Sequence, residues 1–240
     1  MNFIIPSSAY RYLKAFSYIF PTAREALNKI SGVEPTLFLS PPLVDWKKIE
    51  LKKGAAEKII NLFKEKKMPL TNGEHGLRLH GLIAFGLLSN QVDYLANPQD
   101  GVKLLIEQIK FLRRLKDVSP GTDKPAIITI HLGRRKKSFD DNTLQIGKIF
   151  EQVLPIAADN GVIVNIETVC GEIHGGCFGS DLKDFEPLVQ RWGNNENWGI
   201  TFDFSHTLIH YGGDYEEIKK DLLRYGLLPK INYAHLVSPH

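Results

Sequence analysis

Cysteine is scarce in this chain: its 240 residues include only Cys170 and Cys177. Stability therefore does not come from a disulfide framework. A chain of this length needs none to fold, and a reducing cytoplasm is the expected location. Long apolar runs are also missing. Residues 1–20 interrupt short apolar pieces with Arg11 and Lys14, unlike the continuous apolar segment of a secretion signal, and no stretch reads as a membrane span. The net charge of +3 is too small to imply a nucleic-acid partner by itself, although a local basic patch stays open. Gly-x-Ser-x-Gly, the Walker-type phosphate loop and His-Glu-x-x-His are all absent, so the chemistries that depend on them are not indicated. With no internal repeat, low-complexity tract or linker, a single domain over residues 1–240 is expected.

What is present is ordinary globular material, 43% hydrophobic and 24% charged, enough for one sizeable core. Short apolar runs predict strands at residues 2–5, 36–39, 77–85, 126–132, 162–168, 199–204 and 231–236. Apolar residues recurring every three or four positions predict helices over 55–66, 102–115, 144–158 and 215–225. The alternation of strand and helix implies right-handed βαβ units around a parallel sheet. Seven near-regular units favour a (β/α)8 barrel over an open doubly wound sheet, the alternative reading. Breakers stand between the units, as at Pro41-Pro42 and Ser119-Pro120-Gly121. Residues 171–180, rich in glycine, read as a loop long enough to cover the barrel mouth.

The strand ends carry the chemistry. His80 closes the third strand, His131 the fourth, Glu167 the fifth, Asp203 with His206 the sixth and His235 the seventh. Each has an ordinary explanation: a histidine in an apolar run is commonly a hydrogen-bonded core residue, and His206 reads equally as a helix cap. A buried, unpaired Glu167 or Asp203 would be costly, however, and both need partners. All six occupy equivalent positions at one end of the predicted sheet, where barrels place their sites. Imidazole and carboxylate converging there suit Zn²⁺ or Mn²⁺, with Mg²⁺, Fe²⁺ or Co²⁺ as alternatives, at ligand distances of about 2.0–2.2 Å. The basic run Arg134-Arg135-Lys136-Lys137 lies on the same side, either as a solvated loop or as a phosphate holder. Cys170, His174 and Cys177 fall short of a second closed metal site in number and spacing.

As an ordered set these residues resemble the xylose-isomerase-like TIM-barrel superfamily, which includes sugar phosphate isomerase/epimerase-like proteins and apurinic endonuclease IV. The resemblance is carried by the third-strand histidine, Ile130-His131-Leu132-Gly133, Asn165-Ile166-Glu167-Thr168, Gly199-x-x-x-Asp203-x-x-His206 and Ala234-His235-Leu236, over roughly residues 77–240. It implies that His80, His131, Glu167, Asp203, His206 and His235 are metal ligands. In the isomerase branch His206 is a substrate contact, and Glu167 is the bridging ligand and proton-transfer group. It also implies an eighth-strand glutamate that this sequence, ending at His240 after its seventh strand, does not supply. The expectation is thus a (β/α)8 barrel lacking its last βα unit, truncated at the C-terminus.

Three functions fit such a mouth. An isomerase or epimerase of a small sugar or sugar phosphate uses a metal to acidify a carbon-bound proton that carboxylates then move. An endonuclease IV-like phosphodiesterase acting on DNA uses several metals and wedging side chains. A barrel that has lost catalysis serves only to bind. Gly81-Leu82-Ile83-Ala84-Phe85 lacks the aromatic that endonuclease IV carries three residues past its histidine, and the sugar reading is preferred.

Overall fold

In the computed structural model, which describes residues 3–6, 30–34, 44–45, 48, 50–66, 78–80, 93–118, 125–135, 138–169 and 176–235, strands and helices alternate as expected. β1 (Phe3–Pro6) pairs in parallel with β2 (Ile30–Glu34). A short antiparallel pair, β3 (Val44–Asp45) with β4 (Glu50–Leu51), leads into helix α1 (Lys53–Lys66). β5 (Arg78–His80), α2 (Pro98–Val118), β6 (Ala126–Ile130), α3 (Phe139–Asp159) and β7 (Val162–Glu167) follow. Next come a 3-10 turn (Leu182–Phe185), α4 (Glu186–Trp192), β8 (Trp198–Asp203), α5 (Phe204–His210), α6 (Tyr215–Arg224) and β9 (Ile231–His235). β5 to β9 form one wholly parallel sheet in sequence order, and β2 lies beside β5. Consecutive parallel neighbours are what right-handed βαβ crossovers generate, here as the wall of a barrel.

One expected strand goes untested and one strand was not expected. The expected strand at 36–39 lies outside the described residues, while Ile30–Glu34, which is poor in apolar side chains, is the strand that pairs with β1. α4 and α5 span seven residues each, too few for a helical period to show in sequence.

Side-chain alternation divides the wall into two faces. Ala126, Ile128 and Ile130 of β6, Val162, Val164 and Ile166 of β7, and Trp198 and Ile200 of β8 belong to the core packed outside the barrel. α2 meets them with Leu105, Gln108, Leu112 and Leu115, at the three- and four-residue spacing of a single helix face, and all four are buried. Each fully buried Ile, Val or Leu contributes about 1.5–3 kcal/mol relative to exposure. α3 starts on Ser138, whose hydroxyl accepts from the Asp141 N–H, and Asp140 and Asp141 in its first turn complement the helix dipole.

The opposite parity points into the barrel; it starts with Ile127 and Ile163 and turns polar from Thr129, Asn165 and Thr201 onward. The Thr129 and Thr201 hydroxyls lie 2.8 Å apart, and the Asn165 amide donates to Thr201 Oγ1 (2.9 Å) and to Asn232 Oδ1 (2.6 Å). Gly199, level with Asn165 across the β7–β8 ladder, makes room for this pair, since a Cβ there would lie 2.3 Å from Asn232 Nδ2. Two residues further along the same face come His131, Glu167 and Asp203. β9 joins them through a bulge: Ile231 pairs with Ile200 but Tyr233 with Thr201, so Asn232 is an extra residue. Without it Ala234 would stand opposite Asp203; with it, His235 does.

Candidate metal site at the barrel mouth

Glu167, the last residue of β7, is 1% exposed, and both its oxygens are engaged. His131 Nε2 lies 2.8 Å from Oε2, and His235 Nδ1 lies 2.7 Å from Oε1. With the carboxylate ionised, both imidazoles donate, and the ring of each is oriented by the bond. Asp203, the last residue of β8, caps α5: its Oδ1 accepts from the His206 N–H at 2.8 Å. Its Oδ2 lies 3.6 Å from His206 Nδ1 and 3.8 Å from His235 Nδ1. Burial pushes the Asp203 carboxyl above its ordinary range and the charge of Glu167 adds to this, while the His206 N–H and the nearby imidazoles oppose it.

One donor atom from each of Glu167, Asp203 and His206 lies within 4.8 Å of the other two. Two buried carboxylates and a half-buried imidazole facing one point form a donor set whose charge a divalent cation balances, and its mix of oxygen and nitrogen suits zinc or manganese. The chemistry of this trio therefore fits the ion expected from sequence. His131 meets the site through Glu167, and His235 through Glu167 and Asp203; neither is part of the trio. His80 pairs through its backbone with Thr129, and its side chain lies outside the described residues.

The loop after β7 is pinned where it is described. Arg135 N–H donates to Gly176 O (2.9 Å) and Phe178 N–H to Gly133 O (2.9 Å), tying it to the loop after β6. The phosphate-holding alternative for the basic run finds no support at Arg135, whose guanidinium is committed to the buried Asp184 carboxylate at 2.5 Å and to Ser180 Oγ at 3.1 Å. Lys136, Lys137, Cys170 and His174 lie outside the described residues. Cys177 is a buried thiol pushed up to about 11, first by burial and then by the charge of Asp93, which disfavours the thiolate a metal would need.

Gly179, whose carbonyl accepts from the Val169 N–H at 3.0 Å, has φ +92°, and a Cβ on it would lie 2.7 Å from the Glu167 carbonyl. Gly179→Ala is expected to cost about 1–3 kcal/mol, because a left-handed conformation and a backbone collision coincide. A thermal melt unchanged from wild type would refute this.

The sequence reading missed Thr168 and Thr207, buried hydroxyls that contact the Asp203 main chain. Their one sequence signal was polar residues directly beside Glu167 and His206. No helix among the described residues is long and apolar enough to cross a membrane.

A family model for the xylose isomerase-like TIM barrel matches residues 29–239. Among solved structures, a D-tagatose 3-epimerase-like protein superposes with a TM-score of 0.57 at 16% identity, covering 98% of this chain and 76% of that one. AP endonuclease, family 2, from Brucella melitensis gives 0.58 at 15% identity, covering 92% and 74%. D-allulose 3-epimerase from a Methylomonas species, in complex with D-allulose, gives 0.54 at 17% identity, covering 86% and 61%. At these identities the likeness shows a shared fold, the TIM barrel. No curated protein matches the chain in sequence.

Proposed function

From the premise that the chain belongs to the xylose isomerase-like TIM barrel family, we propose that it is a divalent-metal-dependent isomerase or epimerase of a small sugar or sugar phosphate. The observation that carries this reading is the convergence of Glu167, Asp203 and His206 at the barrel mouth, with His131 and His235 on the two oxygens of Glu167. Glu167, Asp203 and His206 hold the ion, Zn²⁺ or Mn²⁺ by donor type. When bound, such an ion polarises adjacent substrate oxygens and acidifies the intervening carbon-bound proton.

Glu167 is the proton-transfer group: its carboxylate sits at the centre of the cluster, and the two imidazoles fix both oxygens in position. His131 and His235 orient that carboxylate and tune its basicity, as outer partners of metal ligands do. His206, the most exposed member at 25%, faces the mouth and contacts a substrate oxygen. Burial of Glu167 and Asp203 keeps bulk water from competing for the transferred proton. Two neighbours, a D-tagatose 3-epimerase-like protein and a D-allulose 3-epimerase, support a sugar as the substrate class.

The test is deuterium wash-in. Incubated in D₂O with Mn²⁺ or Co²⁺ and a panel of ketoses and ketose phosphates, the protein is expected to exchange the proton on the carbon next to the carbonyl, and chelation is expected to stop it. No exchange with any member of the panel, together with metal-dependent nicking of abasic-site DNA, would replace the isomerase by the nuclease.

A further inference from the structure

Asp203 is held at every polar atom except the one that faces the cluster. Its N–H donates to Thr168 Oγ1 at 2.8 Å, and its carbonyl accepts from Thr207 Oγ1 at 2.8 Å and from Thr168 Oγ1 at 3.3 Å. The Thr207 hydroxyl also lies 3.1 Å from Thr168 Oγ1, which closes the group. Oδ1 takes the His206 N–H. Oδ2 alone is left towards His206 and His235.

The placement of Thr168 explains how this comes about. The β7–β8 ladder still runs at Thr168, whose N–H donates to Thr201 O at 3.0 Å. The Asp203 N–H then turns to the Thr168 side chain. A hydroxyl thus takes over where the main-chain ladder ends, and it does so at the residue that must aim a carboxylate. Thr168 is 1% and Thr207 3% exposed, so water does not substitute for either. A buried N–H or carbonyl without its partner is costly, and the Asp203 peptide groups keep their direction as long as both hydroxyls are present.

We propose that Thr168 and Thr207 are positioning residues that fix the Asp203 backbone so that Oδ2 stays turned towards His206 and His235, on the side where the trio would hold an ion. The inference rests on the metal-dependent reading above for its consequence, though not for its geometry. It is tested on the full chain by two measurements: amide hydrogen exchange at Asp203 and His206 in metal-free protein, and titration with Co²⁺ followed by its visible absorption.

Thr168→Val keeps the side-chain shape and removes the hydroxyl. It is expected to speed exchange of both amides about tenfold or more. It should also weaken Co²⁺ binding about 10–100-fold with a changed spectrum, while Thr168→Ser stays within about threefold of wild type in both readouts. Should Thr168→Val fail to fold, Thr207→Val carries the same expectations. Wild-type amide exchange in whichever valine variant folds would overturn the proposal. A wild-type protein that binds no Co²⁺ would count against the metal reading alone, and the exchange data would still decide the role of the hydroxyls.

Discussion

Glu167→Gln is expected to lower turnover about 10²–10⁴-fold while leaving the melting curve close to wild type. The size of the loss follows from the two roles assigned to one side chain. An amide does not accept the substrate proton, and it removes one of the negative charges that balance the ion. The small structural effect follows from shape. Gln fills the same volume, its oxygen still accepts from one imidazole, and its NH₂ donates to the other once that ring takes its alternative tautomer. Both bonds of the present site, at 2.8 Å to His131 and 2.7 Å to His235, thereby have a replacement. Kinetics and a thermal melt on the same preparation separate the two effects. A Glu167→Gln protein with wild-type turnover would remove Glu167 from the chemistry, and a collapsed melting curve would make it a structural residue first.

Trp198→Ala is expected to cost about 3–5 kcal/mol, the largest stability loss predicted for this chain. Trp198 opens β8, the strand that ends in Asp203, and is 1% exposed. Its ring centroid lies 5.6 Å from that of Phe150 on α3, and Lys230 Nζ stands 4.8 Å above its face. Its Nε1–H donates to Trp192 O at the end of α4, at 2.6 Å. Alanine would leave a cavity between the sheet and two helices and deprive a carbonyl of its donor. For a chain of this size the melting temperature should fall roughly 6–20 °C. Trp198→Phe, which keeps an aromatic ring and loses only the N–H bond and part of the volume, should cost less than half as much. Equal losses for the two variants would show that the hydrogen bond, and not packing, holds β8 in place.

The strand ends were readable because each side chain's face follows from a period of two and each strand stops where apolar residues give way to an acid or a histidine. Ala126–Ile130, Val162–Glu167 and Trp198–Asp203 form as expected to within two residues at either end. The helices on Pro98–Val118 and Phe139–Asp159 were likewise announced by their apolar spacing. The two-residue strands at Val44–Asp45 and Glu50–Leu51 and the seven-residue helices α4 and α5 carry no such period. They exist because of the chain they pack on. Arg135 was ambiguous in sequence for a related reason: its partner Asp184 lies 49 residues away, and no local pattern says that a buried carboxylate claims the guanidinium.

By itself, the sequence determined the order of strands and helices and the placing of His131, Glu167, Asp203 and His235 at strand ends, since these depend on local apolar runs and periodicity. Only the tertiary structure decided which of those groups meet. The bulge at Asn232 turns His235 towards Asp203. Glu167 takes an imidazole on each oxygen, from residues 36 and 68 positions away. Two threonine hydroxyls hold the Asp203 main chain. Contacts of this kind are fixed by strand register and by hydrogen bonds between distant segments, and neither is written in the residues on one side of the contact.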